Sequence, residues 1–300
     1  MKSIAARTAN WNGNTISLPN ELVNDYRNQL SSLGRLNDAQ GESPKGEIGG
    51  ESEEDTHQHF IHRFGASAAR TSFLILDPHD EIGGISSELR DSFTDGQISV
   101  LDIPCGTGAS ILGFLGCIYQ LRKEKLITTL PLDVYITAGD ISEHALKIYN
   151  DMAEQAQHWL QNEGIRIHWD CHKWDITDHG STASLIDNWF SQSKSEEWIV
   201  MIAAFSGFLA GKKSDFDENK RFVQHICERM HNRLGSITWI EPISNDSQWI
   251  FNKIENLGSW GRWAVRFFKI GFSFKWIHPI KLVAYNGGLR VFHNKRTNNV

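Results

Sequence analysis

The chain is poor in the residues that staple small or secreted folds. It has four cysteines in 300 residues, at 105, 117, 171 and 227, and none forms a C-x-x-C pair. Neither a disulfide framework nor a zinc knuckle is therefore indicated. Long hydrophobic runs are missing as well: no apolar stretch approaches the ~18 to 20 residues that cross a bilayer. The opening "MKSIAARTANWNGN" lacks the apolar segment of a signal peptide. A cytoplasmic protein with reduced thiols and no membrane partner is the expectation. Basic residues are outnumbered, 30 Lys and Arg against 36 Asp and Glu, for a net charge of -6. That balance argues weakly against a nucleic-acid partner for the chain as a whole. Two nucleotide signatures are absent too. No G-K-[ST] follows a glycine-rich turn, and the dinucleotide pattern G-x-G-x-x-G fails because Ile111 stands at its third glycine.

What is present suits an α/β protein. Hydrophobic residues make up 40% of the chain and charged residues 22%, enough for one decorated domain or two small ones. In "PNELVNDYRNQLSSL", Leu22, Tyr26, Leu30 and Leu33 recur at helical spacing, which marks residues 1–36 as an N-terminal helical segment. Residues 37–56, rich in Gly, Ser and acids, read as a flexible acidic linker. Residues 57–97 carry one or two helices that would cover the domain formed by residues 98–300.

In that last region strands alternate with helices: "QISVLDIP", "LDVYITAGDIS", "IRIHWDC", "EWIVMIAAFSGFL" and "GSITWIEPI" are separated by amphipathic stretches. The alternation implies right-handed crossovers and a doubly wound, mostly parallel sheet. The final "FSFKWIHPIKLVAYNGGLRVFHNK" reads as two strands joined through "NGG", an antiparallel hairpin.

The first strand ends in "LDIPCGTGAS", where an acid, Asp102, precedes a turn containing Gly106 and Gly108. A carboxylate there repels a pyrophosphate and welcomes an ammonium group, while the bare turn exposes backbone N–H groups at a helix N-terminus. A second acid, Asp140, ends strand two in "AGDIS", where it can accept hydrogen bonds from two ribose hydroxyls. Ser142 is placed to cap the helix that follows, and Gly164 to stop it.

Together "VLDIPCGTGAS" and "AGDISEHAL" resemble motifs I and II of class I S-adenosylmethionine-dependent methyltransferases, a likeness that spans roughly residues 98–300. The resemblance implies a Rossmann-like, seven-stranded sheet and S-adenosyl-L-methionine as cofactor. It further implies that Asp102, Pro104, Cys105, Gly106 and Gly108 line the methionine end, and that Asp140 and Ile141 hold ribose and adenine. The acid that meets the adenine amino group falls on Asp175, with Ile176 beside it, or alternatively on Asp170. Pro104 departs from the family's first glycine; proline fixes φ and removes a donor, which an extended approach to the turn tolerates.

The acceptor side belongs at the ends of strands four and five, which nominates Phe205, Ser206 and Glu241 from the sheet and His57, His59 and Arg63 from the helical cover. Glu241 is a general base or a helix-capping acid. Arg63 or Arg70 is a candidate partner for the cofactor carboxylate. Of the histidines in "HQHFIHR", His59 and His62 share a helix face but His57 and His59 do not, so no metal is expected. The N-P-P-Y type motif of amino-group methyltransferases is absent, since strand four ends "AAFSGF".

From Lys253 onward nine Lys or Arg face one acid, Glu255. The aromatic-rich stretch "WIFNKIENLGSWGRWAVRFFKIGFSFKW" reads as a helical lid or as a basic, stacking surface for RNA or another polyanion through Arg262, Arg266 and Lys269. The acceptor is thus a small molecule or an RNA. The rival readings are a non-catalytic RNA-binding or assembly module on the same fold and, more weakly, an NAD-dependent oxidoreductase.

Overall fold

β-branched and aliphatic runs bounded by turns become strands here, and the amphipathic stretches between them become the helices that cover both sheet faces. The computed structural model describes residues 3–42, 50–192, 195, 197–211, 221–230, 234–255 and 264–296. The strands are β1 Thr15–Ile16, β2 Gly96–Asp102, β3 Leu132–Asp140, β4 Ile165–Lys173, β5 Glu197–Ala203, β6 Leu234–Glu241, β7 Ala264–Ile277 and β8 Ala284–Arg296. Between them lie α1 Asn20–Ser32, α2 Glu53–Leu76, α3 Ile85–Ser92, α4 Ala109–Lys123, α5 Glu143–Leu160, α6 His179–Gln192, α7 Ser206–Gly211, α8 Arg221–Arg229 and α9 Asn245–Glu255.

All eight strands form one sheet in the order β1-β7-β8-β6-β5-β2-β3-β4. Every pairing is parallel except those of β8, which runs antiparallel to both β6 and β7. The chain lays β3 and β4 on one side of β2, then returns to lay β5 on the other. Strand order therefore reverses between β2 and β5. In open α/β sheets the crevice at the carboxyl ends of such a pair is where ligands bind.

Among the described residues the sheet has eight strands, not seven. The additional one is the two-residue β1, too short to show a period in the sequence, which extends the edge beyond β7. Helix α1 of the N-terminal segment packs into the core. Leu22, Tyr26 and Leu30 of α1 are fully buried, the Tyr26 ring stacks on Phe64 of α2 at 4.8 Å, and its hydroxyl donates to the Ile61 carbonyl at 2.7 Å. Each such buried side chain contributes roughly 1.5 to 3 kcal/mol of hydrophobic stabilisation.

The acidic linker is shorter than 37–56. Its start carries a short 3-10 turn at Asp38–Gln40 and its end is the first turn of α2, capped by Ser52, whose hydroxyl accepts from Asp55 N. Residues 43–49 lie outside the described residues. Strand β5 also stops early, at Ala203, because Ala204 adopts a left-handed φ of 53° and the chain turns into α7.

The β7–β8 connection is His278–Val283, closed by His278 N donating to the Val283 carbonyl at 3.0 Å. "NGG" lies inside β8, where Gly287 leaves room for a ring: a Cβ there would sit 2.6 Å from Phe274. Of the stretch expected as a helical lid, the part in α9 is helical and, from Ala264, the chain is strand β7; residues 256–263 lie outside the described residues. Arg262 lies outside the described residues. Among the described residues no helix is long and apolar enough to cross a membrane.

Candidate functional site

Strand β2 delivers Asp102 to the switch point. Asp102 pairs in register with Ala138 of β3 and Met201 of β5, and Ile103 N donates to the Met201 carbonyl at 3.0 Å. The carboxyl is 1% exposed, and among the described residues neither oxygen has a hydrogen-bond partner. Tyr149, from α5, turns its buried hydroxyl toward it without closing a hydrogen bond. Burial first, and the Asp140 charge second, hold the Asp102 carboxyl well above the usual carboxylate range. An unpaired buried acid is costly, so its placement calls for a cationic partner.

The turn after Asp102 passes a cis Ile103–Pro104 bond and then Gly106 and Gly108, at φ 51° and 84°. Both angles lie in the left-handed region that glycine adopts without a Cβ penalty. Gly108 caps α4, and a Cβ there would stand 3.1 Å from the Tyr149 ring. Cys105 N donates to the Gly139 carbonyl at 2.9 Å, tying the turn to β3. The Cys105 thiol is buried, and burial pushes its pKa far up, so it is no nucleophile.

Asp140, at the end of β3, faces the same turn. Its Oδ2 accepts from Gly106 N at 2.8 Å and its Oδ1 from Ser142 N at 2.9 Å. Burial still raises its pKa, and these backbone donors pull it back down. Ser142 caps α5, accepting from Ala145 N at 3.2 Å, and Gly164, at φ 73°, ends the single 3-10 turn that follows that helix. Ile141 is half-buried beside Asp140.

After β4, Trp174 N donates to the Asp140 carbonyl at 2.9 Å, which brings half-buried Asp175 and buried Ile176 to the same edge. Asp175 Oδ1 accepts from the amide and hydroxyl of Thr177 at 2.8 and 2.7 Å. Asp170, the alternative, lies within β4 and accepts from Gln192 of α6 at 2.8 Å, away from the strand end.

Glu241 ends β6 fully buried, and its carboxylate is richly bonded. Oε1 accepts from Phe205 N at 2.8 Å, Ser206 N at 3.0 Å and Trp239 Nε1 at 2.6 Å, while Oε2 accepts from Ser206 Oγ at 2.7 Å. It caps the first turn of α7, and burial raises its pKa while these donors pull it back down. Phe205 is buried and stacks on Phe208 at 5.5 Å; the Phe208 ring is 39% exposed.

Helix α2 spans these sites. Thr56 at its start contacts Ser142, with 2.9 Å between the hydroxyl oxygens, and Arg70, ~21 Å further along a helix rising 1.5 Å per residue, lies within electrostatic reach of Glu241. Arg70 is half-buried, its pKa lowered to about 10 by desolvation, and its Nε donates to the Gly288 carbonyl at 3.0 Å. Burial and then the Arg63 charge push His59 down to about 4, leaving a neutral imidazole at neutral pH. Half-buried His57 has a shielded Nδ1 with no hydrogen-bond partner among the described residues.

Tyr149 and Thr56 did not stand out in the sequence. Both come from helices remote in sequence from the motif, and neither carries a spacing signal. The basic C-terminal surface falls largely outside the description, since nothing is described of the side chains of Arg266 and Lys269.

No family model matches the chain, and no curated protein matches it. Among solved structures it aligns with the protein described for the conversion of a disulfide bond into a thioacetal group during echinomycin biosynthesis, at 14% identity over 71% of this chain and 82% of that one, TM-score 0.35. It aligns with precorrin 8W decarboxylase of Methanobacterium thermoautotrophicum at 13% identity over 70% and 86%, TM-score 0.35. A Listeria monocytogenes protein described as a class I S-adenosylmethionine-dependent methyltransferase aligns at 12% identity over 93% and 88%, TM-score 0.34. Likeness at this level carries no weight for ligand or activity.

Proposed function

We propose that the chain is a class I S-adenosylmethionine-dependent methyltransferase. The observation that carries this reading is the contrast between two neighbouring acids. Asp102 is buried without a hydrogen-bond donor among the described residues, which suits the ammonium of an amino-acid moiety. Asp140 has one backbone donor on each oxygen. A carboxylate oxygen accepts two hydrogen bonds, so even with the Ile141 amide also within reach the carboxylate keeps an acceptor position for a ribose hydroxyl. The left-handed turn at Gly106 and Gly108 brings bare backbone between the two acids.

In this reading Asp102, Pro104, Cys105, Gly106 and Gly108 hold the methionine portion, and Asp140 holds the ribose. Ile141, Asp175 and Ile176 flank the adenine. Arg63 or Arg70, from the cover helix, meets the cofactor carboxylate. When bound, the cofactor supplies a methyl group activated on a sulfonium. The protein's share is to align that carbon with the acceptor and exclude water, because an in-line displacement gains most from positioning. Ser206, held by Glu241 at the end of β5, and the Phe205–Phe208 stack stand on the acceptor side. Glu241 shapes that wall by capping α7 and takes no proton from the acceptor.

Calorimetry with S-adenosylmethionine tests the reading: binding is expected in the micromolar range and is lost in Asp140→Ala. No heat from folded protein at high micromolar ligand, or unchanged binding by Asp140→Ala, sinks it. Incubating purified RNA and a small-molecule extract separately with the methyl-labelled cofactor then identifies the acceptor class. An RNA acceptor requires binding that weakens with added salt.

A further inference from the structure

Thr56 and Ser142 are 86 residues apart in sequence, yet their hydroxyl oxygens lie 2.9 Å apart, with the residues only 3% and 4% exposed. Each hydroxyl has one hydrogen to give. Ser142 Oγ accepts from Ala145 N at 3.2 Å, and Thr56 Oγ1 donates to the Gly50 carbonyl at 3.4 Å. The two hydroxyls and the Gly50 carbonyl form one bonded chain, whichever hydroxyl donates across the Thr56–Ser142 pair. The backbone N–H of the same Ser142 donates to Asp140 Oδ1 at 2.9 Å, while Gly106 N holds Oδ2 at 2.8 Å. The first turn of the cover helix is thus bonded, through one serine, to the carboxylate beside the glycine turn.

We infer that Thr56 is a positioning residue for Asp140, acting through Ser142, so that the N-terminal cover sets the geometry of the nucleoside end of the site. The inference rests on the proposed function for what Asp140 binds, but not for the bonded chain itself. Without the threonine hydroxyl, the Ser142 hydroxyl loses its buried partner and must turn for another. Ser142 Oγ also caps α5 by accepting from Ala145 N, so a turned side chain gives up that cap and frees the backbone at Ser142, whose amide fixes the carboxylate. Mere packing would act on stability and on every ligand alike. A positioning role acts on the ribose hydroxyls.

The test uses the full chain with Thr56→Val, which keeps the shape, and Thr56→Ser, which keeps the hydroxyl; Thr56→Ala replaces the valine variant if that fails to fold. Without ligand, hydrogen exchange at the Ser142 and Gly106 amides is expected to accelerate in Thr56→Val and return to the wild-type rate in Thr56→Ser. With S-adenosylhomocysteine as probe, Thr56→Val is expected to bind up to about tenfold more weakly, the scale of one hydrogen bond. The affinity penalty for the 2′-deoxyadenosyl analogue should shrink in the same variant, as for any coupled pair. Unchanged protection of both amides overturns the inference, as does an undiminished 2′-deoxy penalty or failure of serine to rescue. If wild type binds neither probe, the methyltransferase reading falls, and the amide exchange still decides the role of Thr56.

Discussion

The two ends of the sheet each bury an ionisable side chain, and they treat it in opposite ways. At the amino ends of β2, β3 and β4, Arg122 of α4 is 0% exposed. Its terminal nitrogens donate to the carbonyls of Leu130, Glu163, Phe93 and Thr94 at 2.9, 2.9, 3.2 and 2.6 Å. It thereby pins three loops that lead into strands. At the carboxyl end Asp102 is equally buried, yet it closes no hydrogen bond among the described residues and has only the Tyr149 hydroxyl turned toward it. Of the Arg122 nitrogens only Nε lacks a partner among the described residues; a buried ion held by four carbonyls belongs to stability, and one that closes no hydrogen bond waits for a ligand. The three acids at the carboxyl end repeat the lesson in a series. Glu241 accepts from four donors, Asp140 from a backbone amide on each oxygen, and Asp102 from none.

The comparison breaks first at Arg122. Arg122→Ala leaves four carbonyls, that of Phe93 buried and the others partly so, without their charged donor, and urea unfolding should show a loss of about 3 kcal/mol or more. A loss below about 1 kcal/mol would mean that water replaces the guanidinium and that the amino end is not held as described. Next comes Glu241→Gln, which keeps the shape but weakens a charge-assisted cap. A loss of about 1 to 2 kcal/mol is expected, with cofactor affinity unchanged. Altered affinity with unaltered stability would return Glu241 to the chemistry.

Asp102→Asn should cost least and differ in sign. The folded-state pKa of Asp102 lies above its unfolded value, so the folded protein holds a proton that the unfolded chain releases. Stability contributed by that proton is present at acid pH and declines as pH rises from about 4 toward the raised value. The asparagine variant should therefore match or exceed wild type near neutrality and show a flatter pH–stability profile. A variant less stable than wild type at neutral pH would make Asp102 a structural residue like Arg122.

Much of this was legible in the sequence. Asp102 and Asp140 were readable because an acid at a strand end followed by a turn or cap is a local pattern, and the alternation of strands and helices is local too. Ser142 and Gly164 were readable as cap and stop for the same reason. The partners were not, because Tyr149 and Thr56 reach the turn from helices whose own periodicity records only burial. Two-residue β1 has no period at all. "NGG" looked like a hairpin turn, yet its glycines accommodate the Phe274 ring within a strand, a contact fixed only when β7 and β8 pair. Glu241 could be read either way, since a carboxylate at a strand end looks the same whether it caps a helix or meets a ligand. Only the donors around it distinguish the two.

The central claim is that the unpaired carboxyl of Asp102 receives a ligand ammonium, and proton-linked calorimetry measures it most directly. Burial first and the Asp140 charge second raise the Asp102 pKa, and an ammonium beside the carboxyl pulls it back down, so binding should release protons wherever the free carboxyl still holds one. Titrating S-adenosylhomocysteine across a range of pH in two buffers of different ionisation enthalpy should show that release, and Asp102→Asn should lose both the release and most of the affinity. Binding by wild type with no proton released, and with the same affinity in Asp102→Asn, would contradict the account.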